Sequence, residues 1–129
     1  MGERELVTEI REVVNKIKLE KGNINLFMLL GDEESESEDS FTLLISAKWL
    51  DDLSPREGIG IIVEYLINNL TDEEMNGISR ITAVSTKDPS VMDITRNLRC
   101  NGGISWNYGC RFGNVYIPFA VILESNFYI

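Results

Sequence analysis

The chain of 129 residues contains no histidine. Histidine is the side chain best suited to proton transfer near neutral pH, and it is the commonest protein ligand of zinc and iron. Its absence excludes Ser-His-Asp and Cys-His catalytic sites and the HExxH zinc site. Acid–base chemistry would depend on Asp, Glu, Lys, Tyr or Cys, and metal chemistry on Mg²⁺ or Ca²⁺ bound by carboxylates.

Cysteine is also scarce, since only Cys100 and Cys110 are present. Two cysteines are too few for a disulfide framework, and these two lack the close C-x-x-C spacing of zinc and thioredoxin-type sites. A strand between them would hold them too far apart for a disulfide, so we expect two free thiols. No glycine-rich nucleotide-binding motif occurs either, because Gly102-Gly103 follows a helix and lacks the lysine of a P-loop. We therefore expect no cofactor.

No uninterrupted apolar run approaches the roughly 20 residues that cross a bilayer. The first residues, MGERELVTEIREVV, are charged and unlike a signal peptide. These features predict a cytoplasmic protein without membrane contact. Basic residues are scattered among acidic ones, which argues against a nucleic-acid-binding surface.

The pattern of apolar residues predicts a single α/β domain in the order α-β-β-α-β-α-β-β, with helices packed on a mixed sheet of about five strands. Helices are predicted near 4–20, from Pro55 and over 89–98, and strands at 24–30, 41–47, 78–85, 104–108 and 115–123. Ser54 with Glu57 and Thr71 with Glu74 have the spacing of capping boxes. We expect the first two strands to lie inside the sheet, Asn101-Gly102-Gly103 to end the third helix, and Pro118 to mark an edge or a bulge.

A run of acidic residues separates the first two strands, and we call residues 32–39 the acidic segment. It contains six of the 21 acidic residues of a chain whose formal net charge is −9, namely Asp32, Glu33, Glu34, Glu36, Glu38 and Asp39. A hairpin tip of this composition repels nucleic acid and attracts cations or basic proteins. The segment lacks the glycine and the twelve-residue spacing of an EF-hand, so it supports weak cation binding at most.

Polar side chains follow the second and third strands where these strands end. If the connection between them is a parallel crossover, both ends lie at the edge where open α/β sheets bind ligands. The candidate ligand rim consists of Lys48, Trp49, Asp51, Asp52, Lys87 and Asp88. If the fourth strand also runs parallel to the third, Tyr108, Cys110 and Arg111 join the same edge.

Two interpretations of this rim compete. The carboxylates of Asp51, Asp52 and Asp88 could bind Mg²⁺ for phosphoryl chemistry. Alternatively, Asp88 is a helix N-cap, Asp51 and Asp52 are acidic residues near a helix N-terminus, and Trp49 covers the core. Because the spacing alone provides no ligand geometry, we favour the structural interpretation.

The glycine-rich turn predicted from Gly109 to Asn114 is surrounded by Trp106, Tyr108 and Phe112 and contains Arg111. Exposed aromatic residues beside an arginine have the composition of a protein-binding hot spot. A packed hairpin explains the same residues equally well.

These observations favour a non-catalytic protein-interaction or regulatory domain, such as a small acidic inhibitor, antitoxin or adaptor. Its contact surfaces would be the acidic segment and the aromatic turn, and we expect its partner to be a protein, with the acidic charge favouring a basic one. The alternative is a Mg²⁺-dependent phosphohydrolase or nucleotide-handling enzyme that uses Asp51, Asp52 and Asp88. A third possibility is a homo-oligomer that buries the strand containing Pro118.

The acidic segment should be dispensable for folding, because six like charges at close spacing repel one another and offer no apolar group to bury. Replacing residues 32–40 with a short Gly/Ser turn should leave the melting temperature unchanged or raise it. Thermal unfolding followed by circular dichroism measures this. A loss of several kcal/mol of stability would make the segment a structural element instead.

Overall fold

A computed structural model of the chain describes residues 3–31, 40–112 and 115–128. It is an α+β structure, with helices packed on one five-stranded mixed sheet. Helices comprise 44% and strands 35% of the structure, which confirms the predicted fold class.

Five helices are described, and three of them match the predicted ones closely. They are α1 (Glu3–Lys21), α2 (Lys48–Asp51), α3 (Pro55–Asn69), α4 (Asp72–Met75) and α5 (Pro89–Asn97). The single turn α2 was not predicted, because four residues are too few to show a helical repeat. In α1 the apolar residues that recur at helical spacing, from Leu6 to Ile17, are all buried.

The two predicted capping boxes form to different extents. At α4 both bonds are present: the Glu74 N–H donates to the Thr71 hydroxyl at 3.1 Å, and the Thr71 N–H donates to the Glu74 carboxylate at 2.8 Å. At α3 the Glu57 N–H donates to Ser54 Oγ at 3.2 Å, but the Glu57 carboxylate accepts from the Ser54 hydroxyl. Ser54 is therefore an N-cap, as predicted, while the reciprocal bond to its backbone was wrong.

The strands are β1 (Leu26–Gly31), β2 (Phe41–Ser46), β3 (Ile78–Ala83), β4 (Cys100–Phe112) and β5 (Val115–Ser125). They lie in the order β3-β2-β1-β5-β4. Only β2 and β3 pair in parallel, and the other three pairs are antiparallel. The two strands predicted to lie inside the sheet, β1 and β2, do so.

Each face of the sheet has its own apolar cluster. Phe27, Leu29, Leu43, Ile45 and Val121 pack with residues of α1 and α3 on one face. On the other face, α5 contributes Val91 and Ile94, which pack against Leu26, Met28 and Ile122. Since β1 and β5 contribute to both clusters, their near-continuous apolar sequences are explained.

Two irregularities in the sheet meet on β5. The β1–β5 register shifts between Phe27 and Met28, and the β4–β5 register shifts between Asn101 and Ser105. Gly102, with φ of 80°, lies in the second shift. The prediction that Asn101-Gly102-Gly103 ends a helix was therefore wrong: α5 ends at Asn97, Leu98 is already extended, and the glycines belong to a β-bulge.

The β4–β5 hairpin is longer than predicted. The expected turn from Gly109 to Asn114 was wrong, because β4 continues to Phe112 and β5 begins at Val115, with residues 113–114 outside the described residues. The last β1–β5 pair joins Leu30 to Ala120. Residues 108–112 and 115–119 therefore pair only with each other, and we call them the aromatic ribbon.

Pro118 lies in the aromatic ribbon, where β5 has a neighbour on one side only. The prediction that Pro118 marks a local edge is confirmed. Proline cannot donate a ladder hydrogen bond, so it fits a position that has no second neighbouring strand. The strand as a whole is internal, however, and the edges of the described sheet are β3 and β4. The homo-oligomer hypothesis therefore named the wrong strand as the edge.

Ser54→Ala should lower the free energy of unfolding by about 0.5–2 kcal/mol, since it removes the acceptor of the Glu57 N–H at the start of α3. Urea unfolding at a constant slope measures the loss. The control is Ser90→Ala, which changes an exposed serine inside α5 rather than at its N-cap. Equal effects of the two substitutions would contradict the assigned role of Ser54.

Candidate functional site

The predicted ligand rim is partly assembled by the structure. The Asp51 carboxylate, at the end of α2, accepts hydrogen bonds from the backbone N–H of Thr86, at 3.1 Å, and from the Thr86 hydroxyl. Trp49 is half-buried against the core, and its indole N–H donates to the Asn23 carbonyl at 3.1 Å. These contacts tie α2 to the β3–α5 loop and to the α1–β1 loop.

The other rim residues have structural or solvent-exposed positions. The Asp88 carboxylate accepts from the Ser90 N–H at 2.9 Å and so caps α5. Lys48, Asp52 and Lys87 are exposed. Within residues 3–31, 40–112 and 115–128, no three Cys, Asp or Glu side chains come together as a metal site. The contacts match the structural interpretation of Asp88 and Trp49, whereas the carboxylate of Asp51 binds Thr86 rather than a helix N-terminus.

A cleft of about 260 Å³ lies beside Asp51, between the start of α3 and the end of β3. Its walls include Leu50, Leu53, Pro55, Ala83 and Val84. Its polar groups are already bonded within the protein, because Ser54 caps α3 and Asp51 binds Thr86. The Ser54 and Asp51 side chains that line the cleft thus already have partners within the protein.

The third segment expected at this rim lies at the opposite end of the sheet. Because β1 and β5 reverse the chain direction in turn, β4 runs opposite to β3. Tyr108, Cys110 and Arg111 therefore lie at the end of the sheet where β3 starts, on the opposite edge from β3. The prediction that they join Asp51 and Asp88 was wrong.

The aromatic residues divide into buried and exposed ones. Trp106 is half-buried and packs with Phe119, whose ring centroid lies 6.1 Å from its own. The ring centroid of Tyr108 lies 4.8 Å from that of Phe119, yet 73% of the Tyr108 surface is exposed. Tyr116 is 52% exposed, and Arg111 is exposed as well. The packed-hairpin interpretation thus fits Trp106, and the exposed-surface interpretation fits Tyr108 and Arg111.

Gly31 allows the aromatic packing to cross the end of β1. A Cβ atom at this position would lie 2.8 Å from Cδ1 of Phe119, closer than real Cβ contacts. The Phe119 ring can therefore reach Phe41 on β2, at a centroid distance of 6.1 Å. One phenylalanine joins the base of the aromatic ribbon to the two strands that flank the acidic segment.

The six carboxylates of the acidic segment, Asp32, Glu33, Glu34, Glu36, Glu38 and Asp39, lie outside the described residues. The described chain stops at Gly31 and resumes at Ser40, beside Phe41. Both positions are at the end of the sheet from which the aromatic ribbon extends. The topology thus brings the attachment points of the acidic segment and the ribbon to one end.

A buried ionic cluster, which the sequence analysis missed, lies near the other end of β5. Glu124 is 0% exposed and Arg11 is 6% exposed, and Arg11 Nη1 lies 3.1 Å from Glu124 Oε2. Lys18 Nζ lies 2.6 Å from Glu124 Oε1 and also donates to Asn101 Oδ1 at 3.0 Å. The Glu124 carboxylate therefore meets two cations of α1.

The two bulges create the partners of this cluster. The Gly102 N–H donates to Glu124 Oε2 at 2.8 Å, and Arg11 Nη1 donates to the carbonyls of Gly103, at 2.8 Å, and of Leu123. A bulge frees backbone groups that a regular ladder would pair. Arg11 and Glu124 satisfy these groups, so the cluster fastens α1 to the irregular part of β4 and β5.

Sequence spacing does contain a signal for this cluster. Arg11 and Lys18 lie seven residues apart in α1, and Arg11 is four residues after the buried Val7. A cation at such a position falls beside the apolar stripe, and Glu124 directly follows an apolar strand. Charged residues that interrupt two apolar faces indicate a buried ion pair, although the pairing itself is not visible in the sequence.

Cys100 lies next to the cluster with its thiol 3.5 Å from the carbonyl oxygen of Ile122. Burial is the main reason that the pKa of the Cys100 thiol is raised, and the nearby Glu124 carboxylate raises it further. Arg11 and Lys18 act in the opposite direction. A raised pKa keeps the thiol protonated and poorly nucleophilic at neutral pH. Cys100 is free, as predicted, and the Cys110 side chain lies outside the described ones.

No described helix has the length and apolar character needed to cross a membrane. No protein-family model, curated protein sequence or solved structure matches the chain.

The ionic cluster should matter to stability because removing one member leaves the other charge buried. Arg11→Met and Glu124→Met should each lower the free energy of unfolding by about 3–5 kcal/mol. The double variant should lose much less than the sum, since no uncompensated charge remains of this pair. Urea unfolding of all four proteins completes the cycle.

The control for this cycle is Glu12→Met on the exposed side of α1, which should change stability by at most about 0.5 kcal/mol. Additive effects of Arg11→Met and Glu124→Met would contradict the direct coupling of the two side chains.

Proposed function

We propose that this protein is a non-catalytic interaction or regulatory domain that binds a basic protein through the aromatic ribbon and the acidic segment. The observation that carries the proposal is that the attachment points of the acidic segment, Gly31 and Ser40, lie at the end of the sheet from which the aromatic ribbon extends. There the exposed rings of Tyr108 and Tyr116 extend beyond β1. A small acidic inhibitor, antitoxin or adaptor would use its surface in this way.

The aromatic ribbon and the acidic segment would play different roles toward the same partner. Tyrosine and arginine are enriched at the centres of protein interfaces because their large, stiff side chains bury much area at little entropic cost. Carboxylates beside such a centre accelerate encounter with a basic partner and reject acidic ones. Tyr108, Tyr116 and Arg111 would form the contact, and the acidic segment would attract the partner.

The Mg²⁺-dependent alternative remains a prediction without a supporting contact. Asp51 is engaged by Thr86, and Asp88 by the first turn of α5. No described contact draws Asp52 toward either of them.

The proposal is tested by affinity capture from the native host with four versions of the protein. They are the natural chain, Tyr108→Ser/Tyr116→Ser, a chain whose acidic segment has Asn and Gln in place of Asp and Glu, and the control Leu19→Ser. Leu19 is 88% exposed and lies in α1 next to Lys18, which binds the beginning of β4 far from the ribbon. Leu19→Ser therefore removes exposed apolar surface, as the ribbon variant does, but at a site far from the ribbon.

We expect mass spectrometry to recover one stoichiometric basic protein with the natural chain and with Leu19→Ser. The ribbon variant should lose it, and the neutralised chain should hold it more weakly and with less dependence on salt. The proposal is wrong if no partner is recovered, or if the partner binds the ribbon variant as well as the natural chain.

A further inference from the structure

The outer edge of β4 offers unused backbone hydrogen-bonding groups. β4 is an edge of the described sheet, and residues 107–112 pair with β5. Among the described residues, no backbone–backbone hydrogen bond outside the β4–β5 ladder involves residues 107–112. Alternate N–H and C=O groups of an edge strand point away from its neighbour, so they are available to a further strand.

The aromatic ribbon is the part of the sheet that gains most from a further strand. Beyond the pair Leu30–Ala120 it consists of two strands only. A two-stranded hairpin without a third strand or a covering helix is marginally stable in water. Outside the ribbon, β5 pairs with β1 as well as with β4. A strand added along β4 would likewise make the ribbon three-stranded.

The other edge of the sheet is less suited to strand addition. β3 has six residues against thirteen in β4, and it pairs along its length with β2, which is itself paired with β1. Each edge carries an exposed arginine, Arg80 on β3 and Arg111 on β4, but β4 also presents the exposed side chain of Tyr108. The longer, less supported edge is therefore the one on β4.

Charge and side-chain type identify the occupant. The chain has a formal net charge of −9, which disfavours a second copy and favours a segment rich in lysine or arginine. Tyr108 and Tyr116, with 73% and 52% of their surfaces exposed, present ring faces on which lysine or arginine side chains can lie. Side chains of an extended segment alternate between its two faces, so every second residue could contact the Tyr108 ring on β4.

We propose that the free edge of β4, from Asn107 to Phe112, binds an extended, basic segment of the partner as an additional β-strand. This inference rests on the proposed function and adds the form in which the partner binds. Backbone hydrogen bonds would supply affinity, and the tyrosine rings would select cationic side chains.

The test uses the full chain labelled with ¹⁵N and a defined probe, the peptide acetyl-(Lys-Val)4-amide. A matched peptide with the same side chains carries N-methyl groups on all internal amides, so it keeps its charge but cannot donate ladder hydrogen bonds. A third peptide, acetyl-(Glu-Val)4-amide, reverses the charge. Amide chemical shifts report where each peptide binds and how tightly.

We expect saturable shifts concentrated in residues 105–112 with the Lys-Val peptide. Its affinity should fall about tenfold or more on N-methylation, because several hydrogen bonds are lost together. Tyr108→Ser should weaken the same binding and Leu19→Ser should leave it unchanged. The Glu-Val peptide should not bind.

Strand addition is overturned if the Lys-Val peptide does not bind, if N-methylation leaves its affinity unchanged, or if the shifts lie on β3 or the helices. These results are separate from those of the capture experiment. If the ribbon variant loses its partner but N-methylation has no effect, the proposed function stands and the binding form is wrong. If the ribbon variant keeps its partner, the proposed function itself fails.

Discussion

Burial of the Glu124 carboxylate is the constraint on which much of the structure depends. A fully buried carboxylate is costly unless cations and hydrogen-bond donors surround it. Here α1 supplies Arg11 and Lys18, and the bulge in β4 supplies the Gly102 N–H. The position of α1, the irregularity of β4 and the irregularity of β5 are therefore consequences of one another. Such a pair contributes less to net stability than to fixing which residues of α1 face which part of the sheet.

Local elements were predictable from the sequence because their signals are local. Ser54 before α3 and Pro55 at its first position identify one helix start, and the Thr71–Glu74 spacing at the start of α4 identifies another. The same reasoning gave a wrong prediction for Gly102 and Gly103, because a glycine pair is equally compatible with a helix end and with a bulge. Only the carboxylate of Glu124, 22 residues away in the chain, decides between them.

The candidate site depended on information that the sequence does not contain, namely the direction of β4. The chain from β3 passes through α5 before β4, a connection compatible with either direction. Once β4 pairs with β5 and β5 pairs antiparallel with β1, Tyr108 and Arg111 move to the end of the sheet where β1 stops. The same step separates them from Asp51 and brings them to the attachment points of the acidic segment. The order and direction of the strands, rather than the identity of any single residue, determine which loops lie at the same end of the sheet.

The central place of β5 has a consequence for how this chain is made. β5 is the last described strand in the chain, yet it lies between β1 and β4. When the ribosome has synthesised the chain only through β3, the apolar edge of β1 has no second neighbour. An unpaired apolar edge is a template for association with other chains. We therefore expect a chain that terminates before β5 to aggregate rather than fold. Slow elongation through α5 and β4 has the same effect, because it prolongs the time during which β1 lacks its second neighbour.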